Sequence, residues 1–136
     1  SCRNIKEIII NSKIETIDKE CFYSCNFLER VKLSNGLKII DDEAFAFCHH
    51  LKRIIIPDTV EKIGENCFAY CSNLEKVKMP RKLKIIGEDA FNNCFKLSNI
   101  MVPFSVKYVG EEAFSNCRNL SNIIIENKKV NINKNA

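Results

Sequence analysis

The chain has 136 residues and a formal net charge of +4, with 46% hydrophobic and 28% charged residues. This length is within the range of one globular domain. No apolar run approaches the roughly 20 residues that a membrane-spanning helix needs, so membrane insertion is not expected. The small positive charge slightly favours acidic partners, but it is too weak to indicate nucleic acid or a membrane surface.

An internal repeat of 23 residues organises the chain. Cysteines recur at this spacing at Cys2, Cys25, Cys48, Cys71, Cys94 and Cys117. A phenylalanine lies three residues before each of the last five, at Phe22, Phe45, Phe68, Phe91 and Phe114. Self-similarity at a fixed period is typical of solenoids, in which each coil buries its apolar face against its neighbours. We expect the Phe side chains to form a buried column.

Each coil has the same predicted elements in the same order. An L-x-x-I-x-I segment follows each cysteine and predicts one parallel strand per coil, with all these strands in one curved sheet. A proline at 57, 80 or 103 ends the strand in coils three to five. A short extended piece follows, and then a glycine, as at Gly64, which we expect to form a tight bend. Acidic residues after it suit the start of a short helical turn that carries Phe and Cys inward. The recurrent acids are Asp42, Glu65, Glu88 and Glu111.

The segment I-I-I-P-D-T-V-E-K-I-G-E-N-C-F-A-Y-C-S-N-L-E-K-V at 54–77 closely resembles the BspA-like leucine-rich repeat family. The family signature is I-x-I-P-x-x-V-x-x-I-G-x-x-A-F-x-x-C-x-x-L, and the resemblance covers residues 2–125. It implies an α/β solenoid: a right-handed coil with a parallel concave β-sheet and short helical or extended convex segments. Coils one and two depart from the signature, with Asn11 and Ser34 in place of Pro and Asp18 and Asp41 in place of Gly.

The pattern indicates one leucine-rich-repeat domain over residues 1–136. After Ile125 the repeat fails, so 126–136 is predicted to be an irregular end or a half-coil that includes Val130 and Ile132. Because residue 1 falls in the middle of a coil, we expect the chain to be a piece of a longer array.

The family resemblance implies a protein-binding role. Its members are mostly surface or secreted proteins of bacteria and parasitic protists, and several are adhesins toward host matrix proteins or other cells. An intracellular scaffold for protein–protein interaction is the alternative. No catalytic residues carry over from the family, and the chain has no G-x-S-x-G motif and no Gly-rich phosphate loop. We therefore expect neither an enzyme nor a cofactor.

The cysteines and histidines have a structural and a chemical interpretation. A cysteine that recurs in every coil is explained by packing, and Cys21 and Cys67 occupy positions that hold alanine in other coils. Disulfides or a metal site are the alternatives, and of the eight cysteines only Cys21 and Cys67 are candidates for reactivity. His49 and His50 follow Cys48, but adjacent side chains point apart, so we predict exposed loop residues and no metal site.

The candidate binding site comes from strand geometry. Side chains of a strand alternate between faces, so the residues beside the inward aliphatics form two outward columns on the concave sheet. The first column is Glu7, Arg30, Arg53, Lys76, Asn99 and Asn122. The second is Ile9, Lys32, Ile55, Lys78, Met101 and Ile124. Five cations of coils two to four would lie within a patch about 10 Å across, around Ile55.

This mixed surface suits a protein partner with acidic and apolar groups. The predicted partner-binding residues are Arg30, Lys32, Arg53, Ile55, Lys76, Lys78 and Met101. The alternative is that strand-surface lysines only keep the sheet soluble. Nucleic acid is not expected, because the cations lack interleaved aromatics that could stack on bases.

Overall fold

A computed structural model of the chain describes residues 2, 4–133, 135 and 136, so Lys134 of the predicted end segment lies outside the described residues. The fold is a β-solenoid of about five turns, in which each coil contributes one longer and one shorter strand. The longer strands are β1 Glu7–Ile9, β3 Arg30–Lys32, β5 Arg53–Ile55, β7 Lys76–Lys78, β9 Asn99–Val102 and β11 Asn122–Ile125. The shorter strands are β2 Thr16–Ile17, β4 Ile39–Ile40, β6 Lys62–Ile63, β8 Ile85–Ile86, β10 Tyr108–Val109 and β12 Asn131–Ile132.

The longer strands are parallel and follow the 23-residue register, as the repeat predicted. Glu7 pairs with Arg30, Arg53 with Lys76, and Asn122 with Asn99. However, these strands do not form the predicted single sheet. They form three two-stranded units, β1–β3, β5–β7 and β9–β11, and no strand ladder joins β3 to β5 or β7 to β9 in the part of the chain that the structure describes.

The shorter strands form the continuous sheet of the molecule. Six of them pair in the order β12-β10-β8-β6-β4-β2, all parallel. They come from the piece after the proline that was expected only to be extended. The shorter strands from β2 to β10 bury their second residue, for example Ile40, Ile63 and Ile86, whereas Ile132 of the terminal strand β12 is exposed. The sheet therefore covers one side of the core.

The predicted helical segments are wrong, because no helix occurs in the described residues. Instead, the segments that carry Phe and Cys form a ribbon of stacked turns, called here the turn ribbon (residues 18–25, 41–48, 64–71, 87–94 and 110–117). Successive amides along the ribbon donate in turn to a carbonyl of their own coil and to a carbonyl of the next coil. The Ala69 N–H donates to Asn66 O in its own coil, while the Phe68 N–H donates to Ala90 O in the next. A helix would send every amide back to its own coil.

Two residues of each ribbon segment have a positive φ, in the same segments whose amides donate alternately within the coil and to the next coil. In coil three they are Asn66 (φ 51°) and Tyr70 (φ 60°). Their amides donate to Glu88 O and Asn92 O of the following coil. A left-handed conformation costs a bulky residue such as Tyr about 1–2 kcal/mol, so bonds between coils offset local strain in every repeat. The recurrent acids therefore do not cap helices; Asp42 Oδ1 instead accepts the Glu65 N–H of the next coil at 2.9 Å.

The repeat glycines allow coils to approach each other closely. Each begins a segment of the turn ribbon, without a left-handed conformation. Gly64, Gly87 and Gly110 are not among the residues with positive φ. A Cβ built on Gly87 would lie 2.5 Å from the carbonyl carbon of Gly64 and 2.6 Å from the Glu65 nitrogen. Both are backbone atoms that cannot move aside, so only glycine fits at this position.

The phenylalanine column is the centre of the core. Phe45, Phe68 and Phe91 are fully buried, and Phe114 is nearly so. Neighbouring rings from Phe45 to Phe114 stack at 5.3–5.5 Å within 7° of parallel. Phe22 is only half-buried, contrary to expectation, and its ring is tilted by 25° to that of Phe45. Coil two has Asp41 where later coils have the close-approach glycine.

The cysteine column packs beside the phenylalanines and also links coils. The Cys71 Sγ–H donates to Phe45 O, and Cys94 to Phe68 O, each at 3.2 Å. Burial raises the pKa of the Cys71 and Cys94 thiols, so the neutral form that donates this bond is favoured. All eight cysteines are free in the structure.

Candidate protein-binding face

The outward side chains of the longer strands form one surface, called here the strand face. The alternation predicted from the sequence is present: in β5, Arg53 and Ile55 are exposed while Ile54 is buried. All seven predicted partner-binding residues are exposed: Arg30, Lys32, Arg53, Ile55, Lys76, Lys78 and Met101. Ile55 is 65% exposed and Met101 is 50% exposed, so large apolar groups lie among the cations.

The structure separates Arg30 from the other four cations. Arg30 Nε lies 3.0 Å from Glu7 Oε1, and Nη1 lies 3.9 Å from Glu29 Oε2. The hydrogen bond and the charge of Glu7 raise the pKa of Arg30. In contrast, Lys32, Arg53, Lys76 and Lys78 have no ion-pair partner among the described residues. Glu7 belongs to the same column in the sequence, but the pattern alone did not predict that it would neutralise Arg30.

A column beside the six-stranded sheet shows the opposite arrangement. Its charges alternate in sign over the first four coils, at Glu15, Lys38, Glu61 and Lys84. Lys38 Nζ lies 2.7 Å from Glu15, and Lys84 Nζ lies 2.6 Å from Glu61. The Lys84 hydrogen bond and charge lower the pKa of Glu61. In these four coils the column pairs opposite charges between coils, and Lys107 then follows Lys84 in the fifth coil. On the strand face, by contrast, like charges are adjacent in coils three and four, where Arg53 is the ladder partner of Lys76.

Two clefts open where the longer strands are not paired. One, of about 450 Å³, lies between β3 and β5, and the other, of about 680 Å³, lies between β7 and β9. The two clefts are built from equivalent positions. Nine residues that line the first cleft have a counterpart 46 residues, or two coils, later in the second cleft. Some inward residues of coils two and four are only half-buried at the clefts: Val31, Leu33 and Val77. In coils three and five, Ile54 and Ile100 are buried.

The same two-coil period is present in the sequence, where the 23-residue repeat obscures it. Coils two and four have V-K-L and V-K-M at 31–33 and 77–79, while coils one, three and five have I-I-I, I-I-I and I-M-V. Each cleft therefore has a lysine on one side and an exposed apolar residue on the other. These pairs are Lys32 with Ile55 and Lys78 with Met101. Comparison of alternate coils would have revealed this signal.

The remaining candidate chemistry lies away from the strand face. His50 is exposed, its Nδ1 is 2.6 Å from Asn26 O, and its ring stacks on Phe27 at 5.4 Å. Within the described residues, no group of three or more His, Cys, Asp or Glu side chains is placed to hold a metal ion. Cys67 is fully buried, which does not fit the expectation that it could react, whereas Cys21 is exposed.

Stacked parallel strands, a repeat of 23 residues and a buried Phe–Cys column define a leucine-rich-repeat solenoid. The sequence profile of the BspA type leucine rich repeat region matches six copies in this chain, over residues 1–75 and 38–136. The chain therefore belongs to the BspA-type leucine-rich repeat family. No curated protein matches the chain.

Several solved structures are similar in fold. The leucine-rich repeat protein TpLRR of T. pallidum has a TM-score of 0.83 and 28% identity, with 93% of this chain and 72% of that chain covered. A leucine-rich repeat protein from Bacteroides ovatus has a TM-score of 0.69 and 27% identity, with 95% and 39% covered. The pneumococcal vaccine antigen PcpA has a TM-score of 0.72 and 28% identity, with 96% and 31% covered. The chain spans well under half of the last two proteins.

No helix in the described residues has the length and apolar character needed to cross a membrane.

Proposed function

We propose that this chain is a protein-binding module of an adhesin-like surface or secreted protein, that it has no catalytic role, and that it binds its partner on the strand face. The observation that carries the proposal is the difference between the two charged surfaces. Four cations without an ion-pair partner among the described residues surround exposed Ile55 on the strand face: Lys32, Arg53, Lys76 and Lys78. In contrast, Lys38 and Lys84 are neutralised from coil to coil. A lysine surface that served only solubility would give no reason for this difference.

The energetics of this surface suit an acidic and apolar partner. Adjacent like charges at Arg53 and Lys76 repel each other in the free protein, and an acidic partner would relieve that repulsion. Exposed Ile55 and Met101 supply apolar area at about 25 cal/mol per Å² buried. Clustered charge mainly accelerates association, while apolar contacts slow dissociation.

Two findings bear on location. Family membership favours a protein outside the cell, and one similar structure is a vaccine antigen. An intracellular scaffold is the second candidate, because the eight free thiols would be stable in a reducing compartment. A signal peptide in the parent gene would favour the first candidate.

The test uses immobilised extracellular-matrix proteins and cultured host cells. Binding of the purified domain is compared with that of Arg53→Glu/Lys76→Glu on the strand face and of Glu65→Lys/Glu88→Lys on the turn ribbon. Both pairs are exposed, so stability should change by no more than about 0.5 kcal/mol per substitution. We expect saturable binding whose association rate falls at least about tenfold in the first variant and is unchanged in the second. Loss confined to the ribbon variant, or no saturable binding to any surface, would contradict the proposal.

A further inference from the structure

The two clefts of the strand face have a fixed spacing along the solenoid. They are related by 46 residues, or two coils. The Phe rings that mark successive coils are 5.4 Å apart from Phe45 to Phe68 and 5.3 Å apart from Phe68 to Phe91. Two coils therefore advance by about 10–11 Å along the Phe column; between β3 and β9 on the strand face, only the step from β5 to β7 has the ordinary paired-strand spacing of about 4.8 Å. A ligand that fills both clefts must repeat at about this distance.

Polyproline II is the extended backbone whose repeat comes closest to this distance. It advances 3.1 Å per residue with three residues per turn, so side chains at i and i+3 lie on the same side about 9.3 Å apart. A β-strand places same-side residues about 6.7 or 13 Å apart. An α-helix reaches about 10.5 Å only over seven residues. Its intervening turns would press on the paired strands β5 and β7, where Arg53 and Lys76 are ladder partners.

The chemistry of each cleft specifies which side chains would recur. Lys32 and Lys78 have no ion-pair partner among the described residues, and each lies in the same cleft as an exposed apolar residue, Ile55 or Met101. Glu29 and Glu75 also line the clefts, at the residue before each strand. A ligand carboxylate is therefore directed to the lysine end of the cleft, away from these glutamates, with an apolar side chain beside it.

From this geometry we infer that the strand face binds an extended, polyproline II segment of a partner protein in which an acidic and an apolar residue recur every three residues. The apolar side chains enter the two clefts, and the acidic side chains pair with Lys32 and Lys78. This inference rests on the proposed binding role of the strand face and names the kind of segment that it recognises.

The probe is a labelled synthetic peptide with the tripeptide Glu-Leu-Pro in two copies, measured by fluorescence anisotropy. It is compared with a one-copy peptide, a two-copy peptide with one Gly inserted between copies, and a Lys-Leu-Pro version. A helical acidic peptide with leucines at i and i+7 is measured in parallel. We expect Kd to be at least about tenfold lower for two copies than for one, because the second cleft is filled intramolecularly. The Gly insertion should lose that gain, and the Lys version should not bind.

Matched variants of one column locate the contacts. Ile55→Ala and Met101→Ala should each raise Kd by about three- to tenfold and abolish the two-copy advantage, since each removes one apolar wall. Ile9→Ala is the control: Ile9 is in the same column and 52% exposed, but it lines neither cleft. These side chains are exposed, so the variants are expected to fold.

Equal binding of the peptides with and without the inserted Gly, equal losses from Ile9→Ala and Ile55→Ala, or tighter binding of the helical peptide would overturn the inference. If these peptides fail while binding to matrix proteins or cells still depends on Arg53 and Lys76, only the ligand assignment is wrong. If that binding fails as well, the proposed function is wrong.

Discussion

Replacing Phe68 by Ala tests how the solenoid is held together. Phe68 is fully buried and stacks between Phe45 at 5.4 Å and Phe91 at 5.3 Å. Burying a Phe side chain contributes about 1.5–3 kcal/mol, and each aromatic pair adds about 0.5–1.5 kcal/mol. The cavity cannot close easily, because the Phe68 N–H to Ala90 O bond helps to set the coil spacing. We therefore expect Phe68→Ala to lower the free energy of unfolding by about 3–5 kcal/mol.

The assay is equilibrium unfolding in urea, with Phe22→Ala as the matched control. Phe22 is half-buried and belongs to the tilted pair, so its loss should cost only about 1–2 kcal/mol. An unchanged m-value would show that the solenoid still unfolds as one unit, and a lower one would show that the array has divided at coil three. A cost below about 1 kcal/mol for Phe68→Ala, or equal costs at the two positions, would refute the column as the main source of stability.

Three further predictions follow from particular contacts. Gly87→Ala should destabilise by about 1–3 kcal/mol in the same assay, because its Cβ would meet the backbone of coil three; a neutral effect would show that coils are not in close approach. In native thiol labelling, Cys48, Cys71 and Cys94 should not react, whereas eight thiols should react in denaturant without reductant; fewer would reveal disulfides. Burial raises the pKa of Cys67 and Cys71, and burial together with a hydrogen bond to Cys2 raises that of Cys25 to about 12, so the unfolded chain loses these protons first. The stability that these protonated thiols contribute should be fully present below pH 9. Above it, the free energy of unfolding should fall by about 1.4 kcal/mol per pH unit for each such thiol. Cys71→Ala should make this fall less steep, and an unchanged slope would contradict the assignment.

The features that recur in every coil were predictable from the sequence. Six aligned copies specify which residues face inward, so the Phe column, the parallel register and the exposure of Arg53 and Ile55 follow from the period alone. The family resemblance covers the same positions. Phe22 is the exception: it is half-buried, and its ring is tilted by 25° to that of Phe45.

The turn ribbon was not predictable by the same reasoning, because local patterns assume local hydrogen bonds. An acidic pair followed by Ala, Phe and Cys has the composition of a short helix. In the structure, every second amide of the ribbon donates to the next coil, as Asn66, Phe68 and Tyr70 do. Each of these acceptors is 22 residues away in sequence. Helix propensity depends on local residues, so it cannot predict such hydrogen bonds between coils.

The candidate site shows the limit of reasoning from a one-coil repeat. Aligning all coils in one column treats Val31, Ile54, Val77 and Ile100 as equivalent, and all are aliphatic and inward. Their differences are small in volume, yet the strands pair as β1–β3, β5–β7 and β9–β11 and leave clefts between the pairs. The outward residues alternate with the same period, lysine in coils two and four and an apolar residue in coils one, three and five. Because unpaired strands and alternating side chains coincide at two places 46 residues apart, we expect the recognition unit of this solenoid to be a pair of coils, whereas its repeating structural unit is a single coil.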